Sequence, residues 1–320
     1  MKLVIFGGRG HLGGILTTAF RASGHEVVVV SRSGEPGTVP WDGRRLGPWA
    51  EELDGADVVI NLAGRSVDCR YTAKNLRQMM DSRVFSTRVV GQAIAQAQAP
   101  PPVWLQMSTA TLYAHRFDAP NDEATGIIGG EEPDAPDYWR YSIDIAQAWE
   151  RTLEEADTPR TRKVALRTAI VMSTAPGGVF SILSFLTRCG LGGSIAGGRQ
   201  FVSWLHEDDF IRSVELLIER DDIDGVVNLA APTPLPQRDF MATLRRCWRI
   251  GLGVPATKWM IEMAAVVKRT DAELLLKSRR VIPGRLLEAG FEFLHPEWQD
   301  AAAELVDRQR RERRSSSEAA

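Results

Sequence analysis

Cysteine is scarce in this sequence, and its three cysteines lie far apart. Cys69, Cys189 and Cys247 have neither the close spacing of a metal site nor the even number that a set of disulfides requires. The five histidines are also dispersed, so no metal site is predicted. Scattered cysteines of this kind are typical of proteins from a reducing compartment.

Long hydrophobic runs are missing as well. No segment approaches the roughly 18 uninterrupted apolar residues that a membrane-spanning helix needs. The first residues show no long apolar region followed by a small-residue cleavage site. Neither sign of charge dominates, since 39 basic residues stand against 41 acidic residues and the formal net charge is −2. We therefore expect a cytoplasmic protein with no general attraction to membranes or nucleic acids.

The first 14 residues place a short apolar run directly before a glycine-rich turn. Three glycines spaced by three residues would provide a tight turn, close approach of the backbone to a pyrophosphate, and packing of the next helix. A helical segment and a second apolar strand (residues 26–30) follow, which is the setting that a dinucleotide-binding loop requires. The less specific alternative is an ordinary strand-to-helix turn. We predict that a dinucleotide binds to this loop through the following residues: Gly7, Gly8, Arg9, Gly10, His11, Leu12 and Gly13.

The residues after the second strand indicate which dinucleotide is bound. A carboxylate there would accept hydrogen bonds from the ribose 2′-hydroxyl of NAD, whereas an arginine accommodates the 2′-phosphate of NADP. The sequence has Ser31, Arg32 and Ser33 at this place, and no acidic residue precedes Glu35. Arg32 can bind a phosphate with two hydrogen bonds, and Arg9 could add a second positive charge. NADP is therefore favoured over NAD, the alternative being that both arginines are solvated surface residues.

Further candidate cofactor residues follow the next strand. Leu62, Ala63 and Gly64 form a stretch that can pass close to a ligand, because ligands bind outside the carboxyl ends of parallel strands. Arg83 lies in a helical stretch from about residue 72 to 98 and could either bind an anion or pair on the surface. The same helical stretch could pair with a second copy of the chain.

Strands alternate with helices as far as residue 171, a pattern that predicts an α/β fold with a doubly wound parallel sheet. Beyond residue 172 the pattern changes. A glycine-rich loop at residues 190–200 precedes Phe201 and Trp204, and this arrangement favours a substrate cleft. The basic run that begins at Arg308 is expected to be a frayed or disordered tail rather than a nucleic-acid-binding patch.

Distinctive motifs occur along nearly the whole chain. They are the glycine loop, residues 60–64, Ser82 with Arg83, residues 190–206, residues 228–232 and residues 279–291. Together they resemble the extended and atypical short-chain dehydrogenase/reductase superfamily. More narrowly, they resemble the nucleoside-diphosphate-sugar epimerase-like family, whose members carry a C-terminal domain of unknown function. The C-terminal motifs are the specific part of this resemblance.

The resemblance implies two domains. A Rossmann-type domain that carries NADP would comprise residues 1–171 and about 201–231. A smaller, mostly helical substrate domain would comprise about residues 172–200 and 232–307, followed by the tail at residues 308–320.

The proton chemistry of that superfamily depends on a Tyr-x-x-x-Lys pair, with a Ser or Thr that orients the substrate carbonyl. Ser108 matches the hydroxyl residue, and Tyr113 matches a tyrosine that often lines the substrate. The pair itself is not matched, because Tyr141 is followed four residues later by Ile145 and no lysine lies between residues 75 and 162. Without a nearby cation, a tyrosine with a pKa near 10 is a poor base at neutral pH.

Two functions fit these observations. The first is an NADP-dependent oxidoreductase or epimerase-like enzyme acting on an unidentified small molecule, with Ser108, Tyr113 and Tyr141 as catalytic candidates. The second is a protein that binds NADPH without turnover and reports redox state to a partner. The predicted cleft near Phe201 and Trp204 favours the enzyme, and the missing lysine favours the sensor. We expect the enzyme, because a second domain over the cofactor is more than sensing requires.

Overall fold

The computed structural model describes residues 1–133, 136, 139–257, 260 and 273–318 of the chain. The strands are β1 (Lys2–Phe6), β2 (Glu26–Ser31), β3 (Val39–Pro40), β4 (Val58–Asn61), β5 (Val103–Thr109), β6 (Arg162–Thr168), β7 (Ile170–Met172), β8 (Phe201–Val202), β9 (Trp204–His206), β10 (Gly225–Leu229) and β11 (Leu235–Pro236). The helices are α1 (His11–Ala22), α2 (Ala73–Gln96), α3 (Arg140–Glu154), α4 (Val179–Arg188), α5 (Glu207–Glu219), α6 (Gln237–Trp248), α7 (Glu273–Leu276), α8 (Gly284–Glu288) and α9 (Trp298–Glu318). Pro48–Leu53 and Ala110–Leu112 form short 3-10 helices.

The main sheet contains seven strands in the order β10-β6-β5-β4-β1-β2-β3. Every neighbouring pair in it is parallel. The chain leaves β1 toward β2 on one side and later fills the positions on the other side, starting with β4. The predicted doubly wound parallel sheet is therefore confirmed. Ligands of such sheets bind at the carboxyl ends of the strands where the strand order reverses, which here is the end of β1.

Both faces of this sheet are covered by helices. On one face, Leu16 of α1 and Phe210 of α5 belong to the same buried cluster as Leu3 of β1. On the other face, Val90 of α2 packs in a cluster with Trp104 of β5. Strands buried on both faces have almost continuous apolar sequences, as β1 and β4 do. Burial of each large apolar side chain contributes about 1.5–3 kcal/mol, so this core fixes the carboxyl edge that carries the site.

The described C-terminal region is mostly helical and has its own apolar cluster. Trp298 of α9 stacks on Phe240 of α6, with ring centroids 3.9 Å apart. The Trp298 indole N–H also donates to the Phe240 carbonyl oxygen at 2.9 Å. β7 pairs with β9, and β8 pairs with β11, in small sheets separate from the main one. The division into a cofactor domain and a substrate domain stays a prediction.

Helix α9 extends from Trp298 to Glu318 and so includes most of the stretch where a frayed or disordered tail was expected. Arg308 shows why this part of the chain is held. Its guanidinium donates to Glu207 at 2.9 Å and to Asp208 at 3.0 Å, at the start of α5. The acidic partners lie about one hundred residues earlier in the sequence, so the basic run alone could not reveal them. None of the described helices is both long and apolar enough to cross a membrane.

Candidate functional site

The loop between β1 and α1 is shaped by glycines that have different roles. Gly7 has a φ of +78°, and a Cβ there would lie 3.1 Å from the Ala63 nitrogen. A Cβ on Gly13 would clash with the Gly7 carbonyl oxygen, so Gly13 lets α1 pack against the loop. A Cβ on Gly10 would meet only that same oxygen, at 3.3 Å. Gly7 and Gly13 are therefore needed by the fold, whereas Gly10 leaves space for a ligand.

Helix α1 begins at this loop without a side-chain cap. Gly10 is the N-cap, and the first turn contains no acidic residue. By helix geometry, the first N–H groups, at His11, Leu12 and Gly13, have no acceptor within the helix. The helix dipole makes the same end favourable for an anion. The loop therefore fits a pyrophosphate by its backbone geometry as well as by its sequence.

The segment after β4 forms the opposite wall of this loop. Asn61 is fully buried, and its side-chain N–H donates to Gln106 of β5 at 2.9 Å. Its side-chain oxygen accepts from the Ala63 N–H at 3.1 Å, which fixes the path of Leu62, Ala63 and Gly64. The sequence pattern did not single out the Asn61–Gln106 pair. The sequence did contain a signal for this pair, because Asn61 and Gln106 are polar residues within two mostly apolar strands.

Arg83 contacts the end of that segment. A Cβ on Gly64 would lie 3.3 Å from the Arg83 guanidinium carbon. The guanidinium donates to the carbonyl oxygens of Arg65 at 3.2 Å and Met79 at 3.1 Å, and it lies 4.9 Å from the centroid of Trp149. Burial lowers the pKa of Arg83 to about 10, so it is charged at neutral pH. Within the described part of the chain no carboxylate pairs with it, which favours a role in binding an anion.

The residues expected to bind the 2′-phosphate lie at the end of β2. Ser31 and Ser33 have their hydroxyl oxygens 3.0 Å apart, and Arg32 between them is exposed. Arg9 forms an ion pair with Glu35, and both side chains are largely exposed. Glu35 therefore competes for the charge of Arg9, an effect that sequence spacing did not suggest. Gly8 completes this side of the loop by packing against the strand at Val29.

His11 joins the glycine loop to the segment before α4. Its Nε2 atom lies 2.9 Å from the hydroxyl oxygen of the buried Ser173. A Cβ on Gly178 would lie 2.7 Å from the same nitrogen. Burial lowers the pKa of His11, so the imidazole is neutral at neutral pH. We infer that His11 positions the loop as well as offering its backbone N–H to a ligand.

Two of the three catalytic candidates lie in one buried polar network. Ser108 is 3% exposed, and its hydroxyl donates to Glu150 at 2.5 Å. Glu150 binds Arg167 of β6 through two hydrogen bonds, of 2.9 and 2.8 Å. Arg167 in turn donates to the hydroxyl oxygen of Tyr113 at 2.9 Å, and that hydroxyl donates to Asn228 at 2.9 Å.

This network gives Ser108 and Tyr113 a structural role that the sequence did not suggest. The hydroxyls of Ser108 and Tyr113 are committed to partners inside the protein, so neither is open to a substrate in this arrangement. Burial also raises the pKa of Tyr113, which makes it a weaker proton donor. Tyr141 lies elsewhere, 41% exposed in the first turn of α3.

Thr109 is the better placed hydroxyl at the end of β5. It is partly exposed, and its side-chain oxygen accepts from the Thr111 N–H at 3.1 Å. Side chains alternate along a strand, so Ser108 points to the same buried face as Trp104 and Gln106, and Thr109 points to the other. That alternation was the signal that separates the two hydroxyls.

The two predicted substrate residues have different environments. Trp204 is fully buried, with its ring centroid 5.0 Å from that of Trp298. The prediction that Trp204 lines a cleft is wrong, because α9 covers it. Phe201 is partly exposed, and the Arg280 guanidinium lies 4.6 Å from its ring centroid.

A cavity of about 380 Å³ lies beside the start of α3. Lys277, which the sequence pattern did not single out, is 3% exposed and reaches this cavity from the C-terminal region. Its ammonium group donates to the Thr111 carbonyl oxygen at 2.8 Å, just beyond the end of β5. The other walls include Gly130, Glu132, Trp139, Arg140 and Ile143.

One group in the described part of the chain could hold a metal ion by distance alone. His206, Asp208 and His295 place ligand atoms within 4.8 Å of one another. The two imidazole rings lie close together, with centroids 3.8 Å apart and planes tilted by 34°. Arg308 also donates to the same Asp208 carboxylate at 3.0 Å. This geometry favours a hydrogen-bonded cluster over a metal centre.

Comparison with known proteins gives matches over nearly the full chain. The human epimerase family protein SDR39U1 is 29% identical over 309 residues, which are 96% of this chain and 100% of that protein. The crystal structure of human SDR39U1 (isoform 2) with NADPH has a TM-score of 0.84 at 28% identity, covering 96% of this chain and 99% of that one. A nucleoside-diphosphate sugar epimerase from Corynebacterium glutamicum has a TM-score of 0.74 at 24% identity, covering 96% of this chain and 58% of that one, and shows the fold alone.

Family models account for both parts of the sequence. The domain of unknown function DUF1731 matches residues 256–305, as the C-terminal motifs indicated. The NAD dependent epimerase/dehydratase model matches residues 3–230, which include the glycine loop and nearly all of the seven-stranded sheet. With this sheet, this loop and a match over most of its length, the chain belongs to the NAD dependent epimerase/dehydratase family.

Proposed function

We propose that this protein binds NADPH and is an oxidoreductase or epimerase-like enzyme acting on a small molecule in the cytoplasm. The observation that carries the proposal is the uncapped start of α1 at a glycine loop, with Arg32 in place of a carboxylate at the end of β2. The crystallisation of human SDR39U1 with NADPH supports the same cofactor.

The described residues would hold the cofactor at three points. The first N–H groups of α1 would bind the pyrophosphate, Arg32 would bind the 2′-phosphate, and Ala63 with Gly64 would line the wall beside it. The bound cofactor supplies or accepts a hydride. Neighbouring strands are about 4.8 Å apart, so Thr109 at the end of β5 stands roughly 10 Å from the glycine loop. An extended dinucleotide can span that distance, which leaves the Thr109 hydroxyl to orient a carbonyl.

A screen for turnover tests this function. Oxidation of NADPH would be followed by absorbance against small carbonyl compounds and sugar nucleotides. Gly10→Val, which blocks the phosphate loop, would be the control for oxidation that does not depend on binding. We expect at least one carbonyl compound to be reduced by the wild-type protein and not by this variant.

A second candidate function is an NADPH-binding sensor without turnover. The buried network of Ser108, Glu150, Arg167 and Tyr113 favours it, because hydroxyls that would act on a substrate are held inside the protein. Tight NADPH binding without turnover on any compound of the screen would support the sensor over the enzyme.

A further inference from the structure

Lys277 is one of six lysines in the chain. A contact of its side chain and a contact of the next residue fix its position. Its ammonium group donates to the Thr111 carbonyl oxygen at 2.8 Å. The N–H of the next residue, Ser278, donates to His115 at 2.7 Å. These contacts hold the segment after α7 against the turn that follows β5. Lys277 therefore stands at the carboxyl edge of the main sheet.

The cavity beside Lys277 is large enough for a small substrate. Its volume of about 380 Å³ lies in the range of small-molecule sites. Arg140 and Ile143, from the first turn of α3, form another part of its wall. Thr111 is two residues beyond Thr109, so Lys277 approaches the same strand end as the Thr109 hydroxyl. The ammonium group therefore lies at the edge of the sheet where the hydride donor is expected to bind.

Charged groups face Lys277 from three parts of the chain. Glu273, four residues earlier, has a carboxylate oxygen 3.8 Å from the ammonium nitrogen. The other oxygen of Glu273 accepts from the Ser142 hydroxyl of α3 at 2.6 Å. Glu132, before α3, accepts from two backbone N–H groups, and Arg140 lines the cavity. Glu273 is fixed by its hydrogen bond with Ser142, and it therefore holds the Lys277 ammonium group at the cavity.

This environment changes the acidity of Lys277. Burial lowers its pKa to about 8, against the opposing effect of Glu273 and Glu132, and Arg279 lowers it further. Ordinary lysines have a pKa of about 10.4. Lys277 is thus cationic at neutral pH but gives up its proton far more readily than an exposed lysine. Proton donors work best when their pKa is near the working pH.

We propose that Lys277 is a catalytic residue that donates a proton to the carbonyl oxygen of a small substrate in this cavity. The inference rests on the proposed NADPH-dependent reduction. As hydride from NADPH adds to the carbonyl carbon, the π electrons of the carbonyl form the new O–H bond with a proton from the Lys277 ammonium group. The products are an alcohol and NADP⁺, and one proton taken up from the solvent restores the ammonium group of Lys277. Helix α3 has Ile145, not a lysine, four residues after Tyr141. Lys277, from the C-terminal region, would serve as the proton source instead.

Reductive alkylation measures the reactivity of Lys277 without any turnover. The full-length protein would be treated with glyoxylate, a small aldehyde, and cyanoborohydride, and labelled peptides would be identified by mass spectrometry. At about pH 7.5 we expect Lys277 to be labelled at least tenfold faster than the exposed Lys74, because far more of its amine is neutral. The advantage should disappear above about pH 10.5. Equal or slower labelling of Lys277 at the lower pH would overturn the proposal.

Two variants test the proton transfer on the carbonyl substrate found by the screen. Wild-type turnover should fall as pH rises through about 8, since the acid is lost. In Lys277→Arg the fall should move to higher pH, because guanidinium stays protonated. Lys277→Met should lower kcat about 10²–10³-fold with unchanged NADPH affinity, while Lys74→Met has no effect. Full turnover in Lys277→Met would overturn the proposal, and if no substrate is found or this variant does not fold, the labelling rates decide.

The inference and the proposed function fail separately. Absence of NADPH binding in the wild-type protein contradicts the proposed function, whatever the reactivity of Lys277. NADPH binding and turnover with a slowly labelled Lys277 contradict only the role of this lysine.

Discussion

Ser108, Glu150 and Arg167 form the polar centre of the contact between β5, β6 and α3. Buried ions of this kind are tolerated when each has several hydrogen-bond partners, and removal of one partner leaves the others uncompensated. Arg167 also reaches Tyr113, so the network connects the strand ends to the turn after β5. Its residues stabilise the carboxyl edge rather than face a ligand.

Ser108→Ala should therefore act on stability. We expect the free energy of unfolding, measured by urea denaturation, to fall by about 1–3 kcal/mol, because a hydrogen bond to a charged group is lost. NADPH affinity should not change. Thr109→Ala is the contrast, since it should reduce turnover with little effect on stability. Lower turnover in Ser108→Ala without lower stability would restore the catalytic assignment.

Glu35 is the residue that opposes the charge of Arg9. Glu35→Gln should strengthen NADPH binding about two- to fivefold, because Arg9 is freed and a negative charge near the expected 2′-phosphate is removed. NADH binding should change little. Glu26→Gln, at the exposed start of β2, is the matched control. An unchanged NADPH affinity, measured by calorimetry, would place Arg9 away from the phosphate.

Sequence spacing pointed to some of the candidate site residues and not to others. The glycine triplet and Arg32 could be read from positions that are close in the chain. The role of Ser108 depends on Glu150, 42 residues away, and that of Tyr113 on Asn228, 115 residues away. Such partners are set by strand order and helix packing, which a single sequence does not give.

Helix α1 and its glycine loop are the element on which cofactor binding depends. Gly10→Val should abolish NADPH binding while the protein stays folded, since Gly10 has an ordinary φ of −74° and little protein around it. Calorimetry would measure binding, and circular dichroism would measure folding. Gly13→Val is the contrasting variant and should destabilise the fold itself. Wild-type affinity in Gly10→Val would reduce the loop to a simple turn.

Helices were easier to predict than the pairing of short strands. The helical stretch predicted at about residues 72–98 agrees with the bounds of α2, Ala73–Gln96. Residues 201–206 form two short strands, β8 and β9, which pair with different partners. Ser203 lies between them and donates to the Arg279 carbonyl oxygen at 2.7 Å. Periodicity is local information, whereas this division depends on a segment 76 residues away.

At the scale of the whole molecule, the site is assembled from both ends of the chain. The glycine loop lies within the first 13 residues, whereas Lys277 comes from the C-terminal region and reaches the end of β5. The parallel sheet with helices on both faces could be anticipated from the alternation of strands and helices, but its strand order could not. The cavity could not, because its walls come from segments more than 130 residues apart. Recognition of NADP by the glycine loop and Arg32 is the claim on which the other proposals depend.

Calorimetric titration of the full-length protein with NADPH and NADH tests that claim most directly. NADPH should bind at least about tenfold more tightly, because two hydrogen bonds from Arg32 to a phosphate contribute about 1.5–3 kcal/mol. Arg32→Ala should remove most of this preference, and Arg151→Ala, at an exposed position of α3, should leave it intact. Equal affinities of the wild-type protein for NADPH and NADH would contradict the assignment.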